Sequence, residues 1–412
     1  MLKKYKMFAS DVVLNMIAFA IYTISQQVVL LPIISKNVSD EMFSNFLMYI
    51  SVFNIIANVC GSELGIVRQI KYEEYEKKKL KGDFSLILLW LSFVSSVIAV
   101  IALIVLKYAT VEIIIFTAIV LLANVRLYAA CYFRLQKDFK KVILQNLIYL
   151  IGVVIGLVIF KAKGLIWMPM LCAEVMAFIY TIKYVNIFKE GLKRTSELVH
   201  TIKTYINLGF ISLLTNLMAY FDKFLIYPIL GSKEVNIYYA STAMSKVITL
   251  IINPIYGVIL SWLTSAKKSN EKNIINVTIK ANIPLILIAF LASIPLTYLT
   301  IRILYSQYLD DAMALIIPSC IAVAFATATT ITRAVLLKFV KSESLVKIYV
   351  IYFAIFIMLA IWLSTQYGLL GFAYANVISK IEMWIAYIIV LYMQRNKIER
   401  LEVNERENTE QL

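Results

Sequence analysis

Residues 68–107 read RQIKYEEYEKKKLKGDFSLILLWLSFVSSVIAVIALIVLK, and this stretch decides the class of the protein. Its second part, 84–106, has no charged side chain and is long enough to cross the hydrocarbon core of a bilayer as one helix. Several basic residues precede this apolar segment, from Arg68 to Lys81, whereas Lys107 is the single basic residue directly after it. This asymmetry is typical of a transmembrane helix whose basic end faces the cytoplasm.

The same pattern recurs along all 412 residues. If the predicted spans cross the membrane in turn, every second connection lies on the same side as the N-terminus. These connections, together with the N-terminus and the tail, hold 30 of the 40 Lys and Arg residues, and the connections on the opposite side hold six. We therefore predict an all-α polytopic membrane protein with both termini in the cytoplasm. About twelve transmembrane helices are expected, near 10–34, 42–66, 84–106, 111–133, 142–160, 164–188, 204–228, 236–263, 275–301, 309–333, 346–364 and 368–393.

Composition excludes several other classes of protein. A hydrophobic fraction of 61% and a mean hydropathy of +0.81 are those of a membrane protein. The net charge of +15 is spread over many loops, which favours contact with anionic membrane lipids over nucleic acid. The four cysteines lie far apart in apolar segments, and the one histidine is His200. With no nucleotide-binding or hydrolase motif either, we expect no bound metal, no cofactor and no enzyme activity.

The longest internal polar segment divides the chain into halves that resemble each other. Pro32 is followed by Gly61 and Pro228 by Gly257, each 29 residues later, so an offset of roughly 200 residues relates the halves. Parallel repeats of six helices pack around an axis along the membrane normal and leave a site between them. We predict two six-helix lobes around a central cavity, with a cytoplasmic inter-lobe linker and a cytoplasmic tail: 1–188 (helices 1–6), 189–203 (linker), 204–394 (helices 7–12) and 395–412 (tail).

Four cations lie inside the predicted spans, where a charge is costly and normally faces protein or water. Polar residues recur at helical spacing beside several of them, as expected for a wet cavity. The cations and the polar residues predicted to bind cargo with them are Arg126, Lys223, Lys246, Lys380, Asn216, Tyr220, Gln26, Gln27, Asn54 and Asn58.

A structural role is the alternative for two of these cations. Lys223 lies near the end of its span, so it could reach the membrane surface or pair with Asp222. Lys380 could pair with Glu382. Three buried acids, Asp222, Glu174 and Glu382, are predicted to titrate and to couple transport to protons or sodium.

The residue types in these stripes match one kind of cargo. Amides and hydroxyls hydrogen-bond sugar hydroxyls, aromatic faces pack against sugar C–H groups, and Lys and Arg bind phosphate. A lipid-linked oligosaccharide needs all three contacts. Its acyl tail could stay in the bilayer while the head group crosses through the cavity.

A sequence motif in the seventh and eighth spans carries a family resemblance. An Asp followed by a basic residue, a Gly-containing loop, an acid, a Tyr and an Ala resemble the pattern of the polysaccharide flippases of the MOP exporter superfamily, which translocate O-antigen and capsule repeat units. The residues of this motif are Asp222, Lys223, Gly231, Glu234, Tyr239 and Ala240. The chain departs from the family pattern at Asn236 and at Ser44–Asn45, where Gly is common.

The resemblance covers nearly the whole chain and implies a function. It implies a two-lobed fold of twelve helices with a cationic cavity, and translocation of undecaprenyl-diphosphate-linked oligosaccharide across the bacterial inner membrane, alongside polymerase and chain-length partner proteins. Only Lys223 matches a basic position of the family motif; no such match covers Arg126 or Lys246.

Three alternatives remain open at this stage. A drug/ion antiporter of the same superfamily is the nearest, although cationic drugs would favour acids over Lys and Arg in the cavity. A glycan polymerase or ligase would be expected to carry a sizeable extracytoplasmic loop, and every such connection is short. A membrane scaffold would have little reason to bury several charges.

Overall fold

The computed structural model describes residues 2–185, 190–265, 271–340 and 342–410. These residues form helices and short connections, and no β-strand occurs among them. The helices are α1 (Leu2–Ile24), α2 (Leu31–Ser35), α3 (Asp40–Ile56), α4 (Glu63–Lys77), α5 (Asp83–Val105), α6 (Thr110–Leu135), α7 (Phe139–Lys163), α8 (Met168–Tyr184), α9 (Leu198–Leu230), α10 (Ser232–Ser265), α11 (Glu271–Leu304), α12 (Leu309–Phe339) and α13 (Ser342–Glu410).

Two short π-helical segments interrupt the first two membrane-spanning stretches. Ser25–Leu30 joins α1 to α2, and Ala57–Ser62 joins α3 to α4. A π-helical turn inserts one extra residue into the helix, and such turns are frequent at functional sites. Pro32 follows the first of them at the start of α2, where its missing N–H costs little.

Close helix packing in the first half depends on two pairs of glycines, each pair four residues apart. A methyl group on Gly152 would lie 2.5 Å from the Cα of Ala173, and one on Gly156 would lie 2.3 Å from the Cα of Pro169. These glycines therefore let α7 and α8 approach until their backbones touch, the usual role of small residues in membrane helices. Gly61 and Gly65 do the same for the second span and α6. A methyl group on Gly61 would lie 2.9 Å from the Cα of Asn124, and one on Gly65 would lie 3.3 Å from the Cβ of Cys131.

Helix α13 contains two helices that meet at Gly368. This glycine has φ +59° and ψ −141°, a backbone conformation that other residues avoid, and no atom would obstruct a side chain there. The break separates the predicted spans 346–364 and 368–393. With α13 divided in this way, and with the first two spans each counted through its π-helical segment, the described residues form twelve long helical stretches.

The predicted all-α polytopic fold class is confirmed. Within the described parts of the chain, nine stretches are long and apolar enough to cross a membrane; the last, Val346–Arg400, contains the break at Gly368. The helix α8 has 17 residues and lies beside them. The protein is therefore a multi-pass membrane protein.

The chain forms two compact units, Met1–Phe224 and Leu225–Leu412. The boundary falls within α9, about 20 residues beyond the predicted linker at 189–203. Contacts of the linker and of α9 with the first unit explain this position. Glu190 binds Arg68, and Asn216 binds Asn58. The assignment of six helices to each lobe stays a prediction.

Candidate functional site

Arg126 and Glu174 form a fully buried ion pair in the first unit. The Nε of Arg126 donates to Glu174 Oε2 at 2.7 Å, and Nη2 donates to Oε1 at 2.8 Å. Their side chains are 2% and 0% exposed. Arg126 lies nine residues from the end of α6, which corresponds to about 14 Å of helix. The sequence predicted the two residues separately, one for cargo and one for ion coupling, and the structure brings them together.

Two tyrosines and a glutamine enclose this pair. The guanidinium carbon of Arg126 lies 5.2 Å from the ring centre of Tyr149 and 5.6 Å from that of Tyr22. Gln26 donates from Nε2 to the hydroxyl of Tyr22 at 2.9 Å and to that of Tyr149 at 3.3 Å. We call Tyr22, Gln26, Arg126, Tyr149 and Glu174 the arginine box. It draws on α1, the first π-helical segment, α6, α7 and α8.

The local sequence explains how the arginine box forms. Glu174 directly follows Ala173, the residue whose backbone touches Gly152 of α7. The glycines of α7 thus bring α8 close enough for its carboxylate to reach α6. A buried guanidinium needs such a partner, because an unpaired charge in a region of low dielectric constant is destabilised by several kcal/mol.

The two tyrosines of the arginine box were missed by sequence reasoning. Tyr22 stands four residues before Gln26, so the two share one helix face. Tyr149 stands four residues after Gln145 and three before Gly152, in a polar and small-residue stripe along α7. Those spacings were visible in the sequence, but nothing in them indicates that both rings face the same arginine.

A second group of predicted cargo residues lies where the second π-helical segment meets α9. Asn58 donates from Nδ2 to Asn216 Oδ1 at 2.7 Å, and Asn216 donates to the carbonyl of Ser212 at 2.8 Å. Nearby, the hydroxyl of Tyr205 donates to the carbonyl of Val59 at 3.0 Å. The structure therefore joins two of the predicted amides directly. Gln27 and Asn54 are buried elsewhere in the same unit.

Lys223 pairs with its neighbour in sequence, Asp222. Its Nζ lies 2.9 Å from Asp222 Oδ1 and 5.7 Å from the ring centre of Tyr220. The lysine is 3% exposed and the aspartate 20% exposed. All three residues were predicted from the sequence, Lys223 and Tyr220 for cargo and Asp222 for ion coupling. The pairing that the sequence left as an alternative for Lys223 is present.

In the second unit, Lys380 lies with its Nζ 5.4 Å from the ring centre of Tyr352. Four residues before it, Asn376 donates from Nδ2 to the hydroxyl of Tyr238 at 2.9 Å. Glu382 is partly buried. The backbone of Lys246 is helical, and its side chain lies outside the part of the structure that is described.

A third polar cluster, not predicted as a cargo site, surrounds Arg68 in the first unit. Its guanidinium binds both carboxylate oxygens of Glu190, one of them at 2.9 Å, and donates to the hydroxyl of Tyr128 at 2.8 Å. Tyr132 donates to the same carboxylate at 3.1 Å. The guanidinium also lies over the rings of Tyr132 and Phe84, at 4.5 and 4.9 Å. This cluster fixes the start of the linker to α4 and α6.

The chemistry of these sites is that of charge binding and hydrogen bonding. Among the described residues, no group of three or more His, Cys, Asp or Glu side chains is placed to hold a metal ion. Of the predicted cargo cations, Arg126 and Lys223 each have a carboxylate partner within 3 Å. An anion that bound either of them would compete with that carboxylate.

Comparison with known proteins identifies the fold. No protein-family model and no curated protein matches the sequence. Among solved structures, the chain is similar to an inward-facing multidrug resistance MATE family transporter of the MOP superfamily, with 14% identity, a TM-score of 0.69 and 94% and 99% of the two chains covered. It is also similar to an outward-facing MATE transporter of that superfamily, with 14% identity, a TM-score of 0.65 and 96% of each chain covered.

A flippase shares the fold as well. The inward closed form of the lipid II flippase MurJ is 17% identical, with a TM-score of 0.57 and 97% and 90% of the two chains covered. The protein therefore has the membrane-transporter fold that MATE transporters and this flippase share.

Proposed function

We propose that this protein is a MOP-superfamily flippase that carries a lipid-linked oligosaccharide across the bacterial inner membrane by alternating access. Its cargo would be joined to undecaprenyl through a diphosphate. The observation that supports this most directly is Arg126, a guanidinium between two tyrosine rings at bilayer depth. Arginine matches the geometry of phosphate, and aromatic rings suit both the cation and sugar faces.

The proposed cargo contacts are made by the residues that the sequence predicts for this role. Arg126, Lys223, Lys246 and Lys380 would contact the diphosphate, while Gln26, Asn58 and Asn216 would contact the sugars. Gln27, Asn54 and Tyr220 would complete the lining. Alternating access would expose these residues to one side of the membrane at a time.

A drug/ion antiporter is the second candidate, favoured by the several MATE transporters among the similar structures. A site for cationic drugs would need a carboxylate that is available to the drug. In the first unit Glu174 and Asp222 are each bound to a basic side chain. This arrangement favours an anionic cargo, which can bind once the carboxylate moves away.

The proposal is tested by complementation of a bacterial strain that lacks its repeat-unit flippase. We expect the wild-type chain to restore surface glycan, and Arg126→Gln, Lys223→Gln and Lys246→Gln to reduce it at equal protein levels. Lys77→Gln is the matched control, since that side chain is 79% exposed. Lipid-linked single repeat units should accumulate on the inner leaflet when transport fails.

Two outcomes would overturn the proposal. Normal export by all three variants and by the triple variant would exclude the cationic site. The antiporter would be favoured if the wild-type chain fails to restore surface glycan to the flippase-deficient strain but raises the resistance of those cells to cationic drugs.

A further inference from the structure

We propose that the Arg126–Glu174 pair works by counter-ion exchange: the anionic head group displaces Glu174 from Arg126, and the released carboxylate takes up one proton. This inference rests on the proposed function and adds to it a coupling step at a defined pair of residues. It also explains why one predicted cargo residue and one predicted coupling residue lie in contact.

The geometry makes the carboxylate and the head group competitors. Glu174 occupies the edge of the guanidinium formed by Nε and Nη2, with both hydrogen bonds shorter than 3 Å. That edge can bind two oxygens of a carboxylate or of a phosphate side by side. With the edge occupied and both side chains buried, the arginine box carries no net charge and offers nothing to attract a diphosphate. An anion that binds Nε and Nη2 together therefore displaces the carboxylate from them.

The released carboxylate cannot stay charged where it is. Glu174 is fully buried, and an ionised carboxylate without a partner is destabilised by several kcal/mol in such a place. Other titratable groups near Glu174 in the described structure are Tyr22 from α1, Tyr149 from α7 and Arg126 from α6. Phenols are neutral near pH 7, so neither tyrosine supplies a replacement positive charge. Uptake of a proton removes the charge instead.

The bonds and charges balance in this step. Two N–H···O bonds from Arg126 to the carboxylate break, and two to phosphate oxygens form. One proton from water joins Glu174 to give a neutral carboxylic acid, which can hydrogen-bond a tyrosine hydroxyl of the arginine box. Release of the head group on the far side lets Glu174 lose its proton and bind Arg126 again.

Proton uptake on binding fixes the sign of the pH dependence. If binding takes up one proton, lower pH favours the bound state, and the dissociation constant falls by at most about tenfold for each pH unit. A phosphate that is free at one end has a second pKa of about 6, and a diphosphate esterified at both ends has no such group. Its charge is therefore constant over about pH 5.5 to 8, and a pH dependence in that range reports on the protein.

The experiment measures binding of one probe, farnesyl-diphosphate-N-acetylglucosamine, to the purified full-length protein over that pH range. We expect the wild-type protein to bind more tightly as pH falls. At high pH, Glu174→Gln should bind the probe at least tenfold more tightly than the wild type, and its binding should depend little on pH. The reason is that the uncharged Gln side chain does not neutralise Arg126. The double variant Arg126→Gln/Glu174→Gln, in which two amides can hydrogen-bond each other, should stay folded and lose the binding.

The outcomes separate this inference from the proposed function. If Glu174→Gln binds the probe as tightly as the wild type and with the same pH dependence, the exchange is wrong and the flippase proposal is unaffected. Unchanged binding in the double variant would also overturn it, since the head group would then not use Arg126. Lack of binding by every protein at every pH would count against the lipid-diphosphate cargo itself, and thus against both proposals. Glu73→Gln, at a side chain that is 85% exposed, is the control for the substitution and should match the wild type.

Discussion

The carboxylate of Asp83 binds Thr195 twice, through the backbone N–H at 2.8 Å and through the hydroxyl. The hydroxyl of Tyr75 donates to the same carboxylate at 2.8 Å. Gly82 lets the linker come this close, because a methyl group there would lie 2.5 Å from the backbone nitrogen of Lys193. Beside this contact Lys78 binds Glu197, which raises the pKa of the lysine above its usual value. The linker is thus part of the first unit.

We expect Asp83→Ala to destabilise the first unit by about 1–3 kcal/mol, because the partly buried N–H and hydroxyl of Thr195 lose this acceptor. The hydroxyl of Tyr75 keeps its hydrogen bond with Thr201. The effect is measured by thermal unfolding of the protein in detergent, with the loss of monodisperse protein as the readout. Glu73→Ala, at an exposed side chain of the preceding helix, should leave the midpoint unchanged. Equal midpoints for the two variants would show that the contact does not hold the linker.

The glycines of α7 should tolerate no side chain. Gly152→Ala and Gly156→Ala would place a methyl group within 2.5 Å of the α8 backbone, so the two helices would have to separate. We expect a loss of about 1–3 kcal/mol or misfolding, and a weaker arginine box because Glu174 moves with α8. Gly209→Ala is the matched control. Its nearest neighbour would be the Tyr205 ring at 3.6 Å, so the yield and stability of that variant should be no lower than those of the wild type.

Asn282 connects three helices of the second unit. Its Oδ1 accepts hydrogen bonds from Thr332 Oγ1 at 3.1 Å and from Trp384 Nε1 at 2.9 Å. Asn282→Leu should lower stability by about 1–3 kcal/mol, since the N–H of Trp384 loses its acceptor. The hydroxyl of Thr332 keeps its bond to the carbonyl of Ala328. Thr365→Ala removes only an exposed contact within its own helix and serves as the control. A thermal unfolding midpoint of Asn282→Leu as high as that of the control would contradict the role of Asn282 in connecting these helices.

Asn58 and Asn216 should act as one unit. Because they bind each other at 2.7 Å, the effects of Asn58→Ala and Asn216→Ala on glycan export are expected to be non-additive, with the double variant close to the worse single variant. Surface glycan at equal protein levels in the complementation strain provides the measurement. Strictly additive losses would mean that the two amides contribute independently.

The charge asymmetry predicts which loops face the cytoplasm. Cysteine introduced at Lys79 should react with a membrane-impermeant maleimide only after the cells are opened, whereas cysteine at Lys107 should react in intact cells. Both positions lie in short turns at opposite ends of α5. Of the native cysteines, Cys60, Cys131 and Cys320 are buried and Cys172 is partly buried, so labelling of the parent protein gives the background. The reverse pattern would invert the topology.

The helical framework could be read from the sequence. Each long apolar segment must form a helix in a bilayer, because its backbone has no other way to satisfy its hydrogen bonds. The predicted division near residues 364–368 falls at Gly368, where only glycine readily adopts the observed backbone conformation. The pairs Gly61/Gly65 and Gly152/Gly156 were visible as well, although only the tertiary structure shows which helix each pair contacts.

The sequence also determined which residues were unusual, since a charge within an apolar segment stands out wherever the segment lies. It named Arg126 and Glu174 without joining them. Their contact spans 48 residues and depends on how α6, α7 and α8 pack, which no periodicity along one helix encodes. Helix formation follows from local hydrogen bonding and apolar length, whereas the choice of partner for a buried charge follows from side-chain packing between helices. Only the tertiary structure decided that these two opposite charges neutralise each other inside the first unit.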